Sequence, residues 1–366
     1  MLAPHFARPR GVRAENESVR GSPVPIRPRR NVSAGNPPNG AEELAQQLGS
    51  RLVGQSHAIA EIVPYVQMYR AGLGPEGRPA GVFLLLGPTG TGKTRTVEAL
   101  AEVLHGSEKS LVRVDCGEFQ MEHEVAKLIG APPGYLGHRE TPPMLTQQKL
   151  GAVTSEGSNL SLVLFDEIEK AAPSITRLLL SVLDKAVLRL GDNTSVNFER
   201  TLIFLTSNLG APAMRKEVQP DFGFCAALPP SDGATLRKLS SIGTGAVKRK
   251  FAPEFVNRID GVITYQPLDA DALEAILDQQ IGALERHIAE RLGERAFRLE
   301  LEPSARKFLL AQGTSSEYGA RELKRIILRK LTQPLAAMVE ANRIPPESVV
   351  QVAHKGDGEH LTLRTD

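Results

Sequence analysis

The sequence predicts an α/β fold built on a parallel sheet with flanking helices, followed by a smaller and mostly helical domain with a short C-terminal β element. Short, wholly apolar runs alternate with helical stretches, and they lie at 82–86, 111–114, 162–165 and 202–205. Such runs are typical of strands buried on both faces of a parallel sheet, with helices as crossover connections. After residue 265 the pattern changes to long amphipathic stretches, which are typical of helices that bury one side.

Composition limits the class of protein. Hydrophobic residues make up 41% and charged residues 23% of the 366 residues, as in ordinary globular proteins. A formal net charge of +2 lacks the basic field of a nucleic-acid-binding protein. The two cysteines, Cys116 and Cys225, have no CxxC or histidine pairing, so neither a cysteine-ligated metal site nor a redox motif is expected. Without an apolar run near the ~20 residues that span a bilayer, we expect a cytoplasmic protein.

The patterns divide the chain into three segments. Residues 1–40 contain seven prolines and seven arginines, and with few aliphatic clusters they predict a disordered basic tail. Residues 41–265 carry the strand-like runs, and residues 266–366 carry the amphipathic stretches. A short alternating segment, 361–364, can pair as a strand with 297–301.

The strongest motif follows the first apolar run. Residues 87–94 read Gly-Pro-Thr-Gly-Thr-Gly-Lys-Thr and match GxxxxGK[ST] in the required position between a strand and a helix. Backbone N–H groups of such a loop surround phosphates, its lysine neutralises them and its last hydroxyl binds Mg²⁺. The sequence therefore predicts ATP and Mg²⁺ as ligands of Gly87, Pro88, Thr89, Gly90, Thr91, Gly92, Lys93 and Thr94, against the alternative of a turn with a surface lysine.

Two adjacent carboxylates end the third apolar run. Asp166 and Glu167 follow 162–165, and parallel strands deliver such residues to the edge of the sheet where ligands bind. We expect Asp166 to hold Mg²⁺ and Glu167 to act as general base toward the attacking water. The alternative is a helix N-cap, because a helical stretch follows.

A polar residue ends the fourth run. Asn208 follows 202–205, at the position where a sensor of the γ-phosphate would lie. The alternative is that Asn208 caps a turn, as asparagine often does.

Together these motifs resemble the AAA+ superfamily, and in detail the Clp chaperones and unfoldases, over residues 50–345. Residues 51–55, Arg-Leu-Val-Gly-Gln, resemble the family motif that flanks the nucleotide, which implies that Leu52 and Val53 border the adenine. Residues 129–137, Ile-Gly-Ala-Pro-Pro-Gly-Tyr-Leu-Gly, resemble the Clp pore loop, which implies that Tyr135 and Leu136 grip a polypeptide. The alternative for Tyr135 is burial within its own domain.

Two arginines complete the resemblance. Residues 251–260, Phe-Ala-Pro-Glu-Phe-Val-Asn-Arg-Ile-Asp, are similar to the segment carrying the family's arginine finger, which implies that role for Arg258. Residues 318–321, Tyr-Gly-Ala-Arg, resemble sensor 2, which implies that Arg321 reaches the nucleotide. The alternatives are surface ion pairs, from Arg258 to Asp260 or Glu254 and from Arg321 to Glu317.

The resemblance implies an ATP hydrolase that assembles into a homo-oligomeric ring, a hexamer, and threads or remodels unfolded or aggregated proteins. One ATPase module is present, similar to the second module of the large Clp proteins. Residues 221–224, Asp-Phe-Gly-Phe, lie where protease-coupled relatives dock a peptidase, so the ATPase subunit of a Clp-type protease is an alternative. Two others are a nucleotide-gated switch acting on one dedicated partner and a DNA-acting motor, which the near-neutral charge disfavours.

Overall fold

A computed structural model describes residues 40–131, 142–218, 232–313, 319–356 and 358–365. The predicted tail at 1–40 lies almost wholly outside these ranges, as do Tyr135, Leu136 and residues 221–224. Among the described helices, none is long and apolar enough to cross a membrane.

A five-stranded parallel sheet forms the centre of residues 41–265. The strands of this region are β1 (Gly81–Leu86), β2 (Val112–Asp115), β3 (Ser161–Asp166), β4 (Val187–Arg189), β5 (Ser195–Asn197), β6 (Thr201–Ser207) and β7 (Gly261–Thr264). The strand order in the sheet is β2-β3-β6-β1-β7. The four strands expected from apolar runs are confirmed. The fifth, β7, pairs with β1 and was not predicted, and β4 and β5 form a separate antiparallel hairpin.

The sheet buries both faces, which explains why its central strands are apolar throughout. Every residue of β1, β3 and β6 is buried. Because successive side chains of a strand point to opposite faces, Val82, Leu84 and Leu86 join one core cluster, while Phe83 and Leu85 join the other. The two clusters are the layers of helix packing on either side of the sheet.

Helices cover this sheet in the order that the chain connects them. They are α1 (Ala41–Gly49), α2 (Ser56–Arg70), α3 (Lys93–His105), α4 (Val125–Ile129), α5 (Gln147–Ala152), α6 (Pro173–Lys185), α7 (Ala211–Val218), α8 (Asp232–Lys250) and α9 (Pro253–Val256). Predicted site residues lie at or just after the carboxyl ends of β1, β3 and β6, which are at the same edge of the parallel sheet.

The C-terminal region, which we define as residues 266–365, has its own hydrophobic core. Its elements are α10 (Ala270–Leu292), β8 (Arg298–Leu301), α11 (Pro303–Gly313), α12 (Ala320–Ile327), a π-helical turn (Leu328–Thr332), α13 (Gln333–Glu340), β9 (Val349–His354) and β10 (Leu361–Thr365). Buried side chains of α10, α11, α12 and β9 form this core, among them Leu277, Leu309, Leu323 and Val350.

The expected pairing of 297–301 with 361–364 is wrong, although both segments are strands. Strand β9 lies between them, parallel to β8 and antiparallel to β10. Its sequence, Val349-Val-Gln-Val-Ala-His, places buried Val350 and Val352 on one face. The central position suits β9, because Val350 and Val352 are fully buried whereas Leu361 and Leu363 of β10 are only partly buried.

Candidate functional site

The predicted phosphate-binding loop, residues 87–92, connects β1 to α3. Gly87 has φ +146°, and a Cβ there would lie 2.7 Å from the carbonyl oxygen of Tyr265. A side chain cannot be accommodated at that distance, so the backbone of Tyr265 packs against the start of the loop. The loop ends at the N-terminus of α3, where unpaired N–H groups attract anions.

Lys93 is buried rather than displayed on the surface, with 8% of its area exposed. Its Nζ donates to the carbonyl oxygens of Gly87 (2.7 Å) and Pro88 (2.9 Å) and to Oδ1 of Asn208 (2.9 Å). Burial lowers the pKa of the Lys93 ammonium to about 8, although nearby Glu169 and Asp166 oppose the shift. The alternative of a surface lysine is therefore excluded.

Asp166 lies at the end of β3 and has a partner for each oxygen. The hydroxyl of Thr206 donates to Oδ1, and the guanidinium of Arg113 pairs with Oδ2, each at 2.5 Å. The Thr206 oxygen in turn accepts the backbone N–H of Glu167 (3.0 Å). One threonine of β6 therefore fixes the positions of both neighbouring acids.

Glu167 follows with a backbone φ of 56° and ψ of 49°. Its carboxylate pairs with Lys170 at 2.5 Å and lies 3.4 Å from the side-chain nitrogen of Asn208. Glu167 occupies the N-cap position of the 3-10 turn Ile168–Lys170, but its side chain accepts no capping hydrogen bond. The capping alternative is thus wrong for this side chain.

The structure brings most of the predicted residues together around one cavity. Its lining includes Leu52, Val53, residues 89–94, Asp166, Glu167, Asn208 and Arg321. Gly87 and Pro88 are not among the lining residues and reach the site through their carbonyl bonds to Lys93. The apolar pair Leu52 and Val53 lies on the same cavity as the charged groups, as a ligand with an apolar base and charged phosphates requires.

The C-terminal region forms the other wall of this cavity. Leu268, Ile276, Gln279, Gln280 and Lys324 line it beside Arg321. Gly319 has φ +52°, and a Cβ there would lie 2.9 Å from the carbonyl oxygen of Gly90. The next residue, Ala320, donates its backbone N–H to that same oxygen (3.2 Å). The loop that would hold phosphates is thus in direct contact with the C-terminal region.

Sequence reasoning assigned no role to four cationic side chains that line this cavity, Arg51, Arg95, Arg113 and Lys324. Lys324 lies three residues after Arg321 on α12, and residues at that spacing share a helix face, so the helix period could have found it. Arg113 lies in β2 and pairs with Asp166, but no motif distinguishes it from other arginines. Its place follows only from the register that sets β2 beside β3.

The residues present fit a divalent cation bound together with phosphates. Mg²⁺ takes oxygen ligands and is usually held by one or two protein side chains plus phosphates and water. Thr94 and Asp166 both line the cavity, and they supply a hydroxyl and a carboxylate oxygen. Arg113 now neutralises that carboxylate, so a cation is the kind of partner that this position already accepts.

Arg258 lies elsewhere, and it is not among the residues lining the cavity in the described part of the chain. Its Nε lies 3.2 Å from Oδ1 of Asp184, and its Nη1 donates to the backbone oxygen of Glu254 (2.6 Å). The alternative of an ion pair holds with a different partner, since Arg258 pairs with Asp184. Asp260 instead pairs with Arg78 and accepts the N–H of Val82. Glu317, the alternative partner of Arg321, lies outside the described residues.

Two family models match the chain in succession. One, described as an AAA domain of the Cdc48 subfamily, matches residues 78–262. The other, described as the C-terminal, D2-small domain of ClpB protein, matches residues 268–352.

Curated proteins with similar sequences are also ClpB proteins. The chain is 37% identical over 321 residues to a chaperone protein ClpB of Meiothermus ruber, which covers 87% of this chain and 33% of the relative. It is 39% identical over 319 residues to a chaperone protein ClpB of Pseudomonas putida, which covers 86% of this chain and 34% of the relative. The chain spans about a third of the length of these relatives.

Solved structures share the fold. A complex of Hsp104 from S. cerevisiae with casein, in an extended conformation, superposes with a TM-score of 0.74 at 29% identity, covering 88% of this chain and 52% of that one. A closed state of Hsp104 with ATPγS and FITC-casein gives a TM-score of 0.72 at 28% identity, covering 89% and 51%.

Proposed function

Because the chain belongs to the AAA+ ATPases of the Clp type, we propose that it hydrolyses ATP to unfold, thread or remodel polypeptides. The observation that carries the proposal is the cavity on which Lys93, Asp166, Glu167 and Asn208 converge with Arg321. These residues come from three neighbouring strand ends and from α12, so the fold positions all of them without a ligand. A nucleotide-binding loop alone would not require Asp166, Glu167 or Arg321.

Each of these residues has a distinct part in the proposed reaction. Lys93 and the N–H groups of residues 89–94 hold the phosphates, since a positive charge and helix N-terminal donors stabilise anions. Glu167 takes a proton from the attacking water. Asn208 lies 3.4 Å from the Glu167 carboxylate and orients it, while Arg321 adds a positive charge from the C-terminal region. Thr94 and Asp166 would hold Mg²⁺, which neutralises charge developing on the phosphates.

Binding at this cavity would also move the C-terminal region. We place the division between a large ATPase domain, 41–265, and a small domain, 266–366, at the point where α10 and the second wall of the cavity begin, after a tail at 1–40. A ligand that contacts both walls favours the closed arrangement, because it can shift the equilibrium by its difference in affinity for the two states. We propose that closure of the cavity moves Tyr135 and Leu136, together with the polypeptide bound to them.

The proposed partners are copies of this chain and a polypeptide substrate. A hexameric ring would let Arg258 of one subunit act on the nucleotide of its neighbour, since Arg258 does not line its own cavity. The solved relatives include complexes with casein, which supports a polypeptide as the substrate. A Clp-type peptidase is a further candidate partner on the sequence of residues 221–224 alone, and we propose a cytoplasmic location.

One experiment tests the function. We expect the purified chain to hydrolyse ATP at millimolar Mg²⁺, to show the mass of a ring in ATP, and to turn over faster with an unfolded model protein than without it. Lack of affinity for adenine nucleotides in a folded sample would refute the proposal.

A substitution in the predicted pore loop distinguishes a threading motor from a nucleotide-gated switch. Tyr135→Ala should retain ATPase activity but lose unfolding of a model substrate if the chain threads polypeptides. A switch acting on one dedicated partner would lose neither its ATPase activity nor its effect on that partner. Stimulation by DNA, without stimulation by unfolded protein, would instead favour the DNA-acting motor.

A further inference from the structure

A buried glutamine joins the phosphate-binding loop to the segment leading into the C-terminal region. Gln55 is 1% exposed. Its Nε2 donates to the carbonyl oxygen of Thr91 in the loop (3.2 Å) and to that of Gln266 (2.9 Å). Its Oε1 accepts the backbone N–H of Gln266 at 3.4 Å. We call residues 266–268 the connector, because they lie between Tyr265 and α10.

The residue before the connector is fixed against the loop as well. Tyr265 is fully buried and donates its backbone N–H to Leu86 (2.7 Å) and its hydroxyl to Thr96 of α3 (2.7 Å). Tyr265 is thus held by the strand before the loop and by the helix after it. Among the described residues after Tyr265, the side-chain amide of Gln55 makes the hydrogen bonds that join the loop to the connector.

The chemistry of that amide couples its two acceptors. A side-chain NH₂ has two hydrogens, and here each has one backbone carbonyl as its acceptor. A buried carbonyl that loses its donor pays the full cost of desolvation. If Thr91 moves when phosphates enter the loop, the amide must follow or one carbonyl must lose its bond. Since Gln55 has no exposed area in which to move independently, displacement of the loop changes the position favoured for Gln266.

The neighbouring residue keeps the connector close. A Cβ on Gly54 would lie 3.3 Å from Cβ of Ala272 in α10 and 3.4 Å from Cδ2 of Leu268. The backbone at Gly54 therefore packs directly on the connector and on the first turn of α10. Movement at Gln55 is transmitted into the C-terminal region across these contacts.

We propose that Gln55 is a positioning residue that links the phosphate-binding loop to the connector, so that occupancy of the loop sets the position of the C-terminal region. The inference rests on the proposed function, because it names the residue through which nucleotide binding would produce closure. Gln55 does not touch the reacting groups and acts through Thr91 and Gln266.

The test measures the distance between the two regions. Spin labels are attached through Glu156→Cys and Glu290→Cys, both exposed positions, in a Cys225→Ser background. Cys116 is buried, and burial raises the pKa of its thiol, which disfavours the reactive thiolate. Gln55→Met keeps the length of the side chain and removes the two donated hydrogen bonds and the accepted one. Gln147→Met is the matched control, because Gln147 accepts a backbone N–H from Asn197 (2.8 Å) far from the loop and the connector.

Distances are recorded without nucleotide and with Mg-ATPγS, and the dissociation constant of each variant is measured separately. We expect ATPγS to shift the distances in the wild type and in Gln147→Met. In Gln55→Met the dissociation constant should stay within about threefold of wild type, while the shift falls to less than about half and the nucleotide-free distribution broadens. If Gln55 had only a structural role, Gln55→Met would lose affinity for the nucleotide together with the distance shift.

A Gln55→Met protein that shifts as far as the wild type would overturn the inference. If the wild type bound no nucleotide, that result would count against the proposed function, and the nucleotide-free distributions would decide the inference alone. Equal widths in wild type and Gln55→Met would then reject it. If Gln55→Met does not fold, Gln55→Glu takes its place, since a carboxylate also lacks the two donors.

Discussion

Nζ of Lys93 lies 2.9 Å from Oδ1 of Asn208, so the lysine that follows the predicted phosphate-binding loop is bonded to the polar residue after a neighbouring strand. Because an ammonium only donates, this contact fixes the amide oxygen of Asn208 toward Lys93 and its nitrogen toward Glu167. The carbonyls of Gly87 and Pro88 accept the other two hydrogens of Lys93. Arriving phosphates must therefore replace acceptors that the lysine already has.

The affinity for ATP should depend on pH through Lys93. Its pKa, lowered by burial to about 8, leaves the side chain charged below that pH and increasingly neutral above it. Phosphates favour the charged form, so binding above pH 8 requires uptake of a proton. We expect the affinity to be flat from pH 7 to 8 and to fall by up to about tenfold per pH unit above 8. Titration calorimetry in buffers of different ionisation enthalpy measures both the affinity for ATP and the number of protons taken up on binding.

Lys93→Arg is the control for this dependence, because a guanidinium stays charged throughout the range. Lys93→Arg should bind ATP more weakly than the wild type, and its affinity should not change with pH over this range. An affinity for ATP that is constant in the wild type from pH 7.5 to 9.5 would contradict the assignment to Lys93.

Substitution should separate binding from hydrolysis. Lys93→Ala removes the charge that faces the phosphates and should abolish detectable ATP binding. Glu167→Gln keeps the shape of the side chain but cannot accept the proton of water, so turnover should fall by about 10²- to 10⁴-fold while ATP still binds. Equilibrium binding and steady-state ATPase assays measure the two effects. Normal turnover in Glu167→Gln would show that Glu167 is not the base.

Arg258 should act between subunits. Arg258→Ala should bind nucleotide yet lose about 10³-fold or more in turnover, as arginine fingers contribute that much. Mixing it with Lys93→Ala subunits should restore part of the activity, because the cavity of an Arg258→Ala subunit then meets the intact arginine of a Lys93→Ala neighbour, whereas the reverse interface stays inactive.

Asp184→Asn is the matched control for Arg258. It removes the ion pair at 3.2 Å and keeps the guanidinium, and partly exposed pairs contribute only about 0–1 kcal/mol. Turnover within about twofold of wild type is expected there. Failure of every mixture to recover activity would contradict the action of Arg258 between subunits.

Gly319 should be needed for the C-terminal wall to approach the loop. A Cβ would lie 2.9 Å from the Gly90 oxygen and would separate Ala320 from that oxygen. Gly319→Ala should weaken ATP binding by about tenfold, equivalent to about 1.4 kcal/mol. Fluorescent-nucleotide titration measures the change.

The control is Gly293→Ala. Gly293 has a similar backbone, with φ of +55°, but open space around it. It should lose stability through the unfavourable conformation, by about 1–3 kcal/mol, and keep its affinity. Equal losses of affinity in both variants would show that the effect is general strain and not contact with Gly90.

Local patterns in the sequence were enough for the strands and for most of the site. Runs such as 82–86 are apolar because both faces of their strands are buried, and residues 87–94 are contiguous, so their grouping needs no knowledge of the fold. Strand β7 escaped notice because it is short and only its last two residues are buried. Strand β9 was missed, and the pairing of 361–364 with it rather than with 297–301 depends on long-range packing. Arg113 and Gln55 gain their contacts through tertiary structure alone.

The conformation at Glu167 shows that this site is held in place at a cost to the fold. Glutamate in the left-handed region, at φ 56°, is less stable than asparagine or glycine would be, by roughly 1–2 kcal/mol. Selection of this chain for heat resistance would therefore favour replacing the residue to which we assign proton transfer. Thermostability and turnover are in conflict at this single position, and a library sorted only by melting temperature would accumulate inactive proteins.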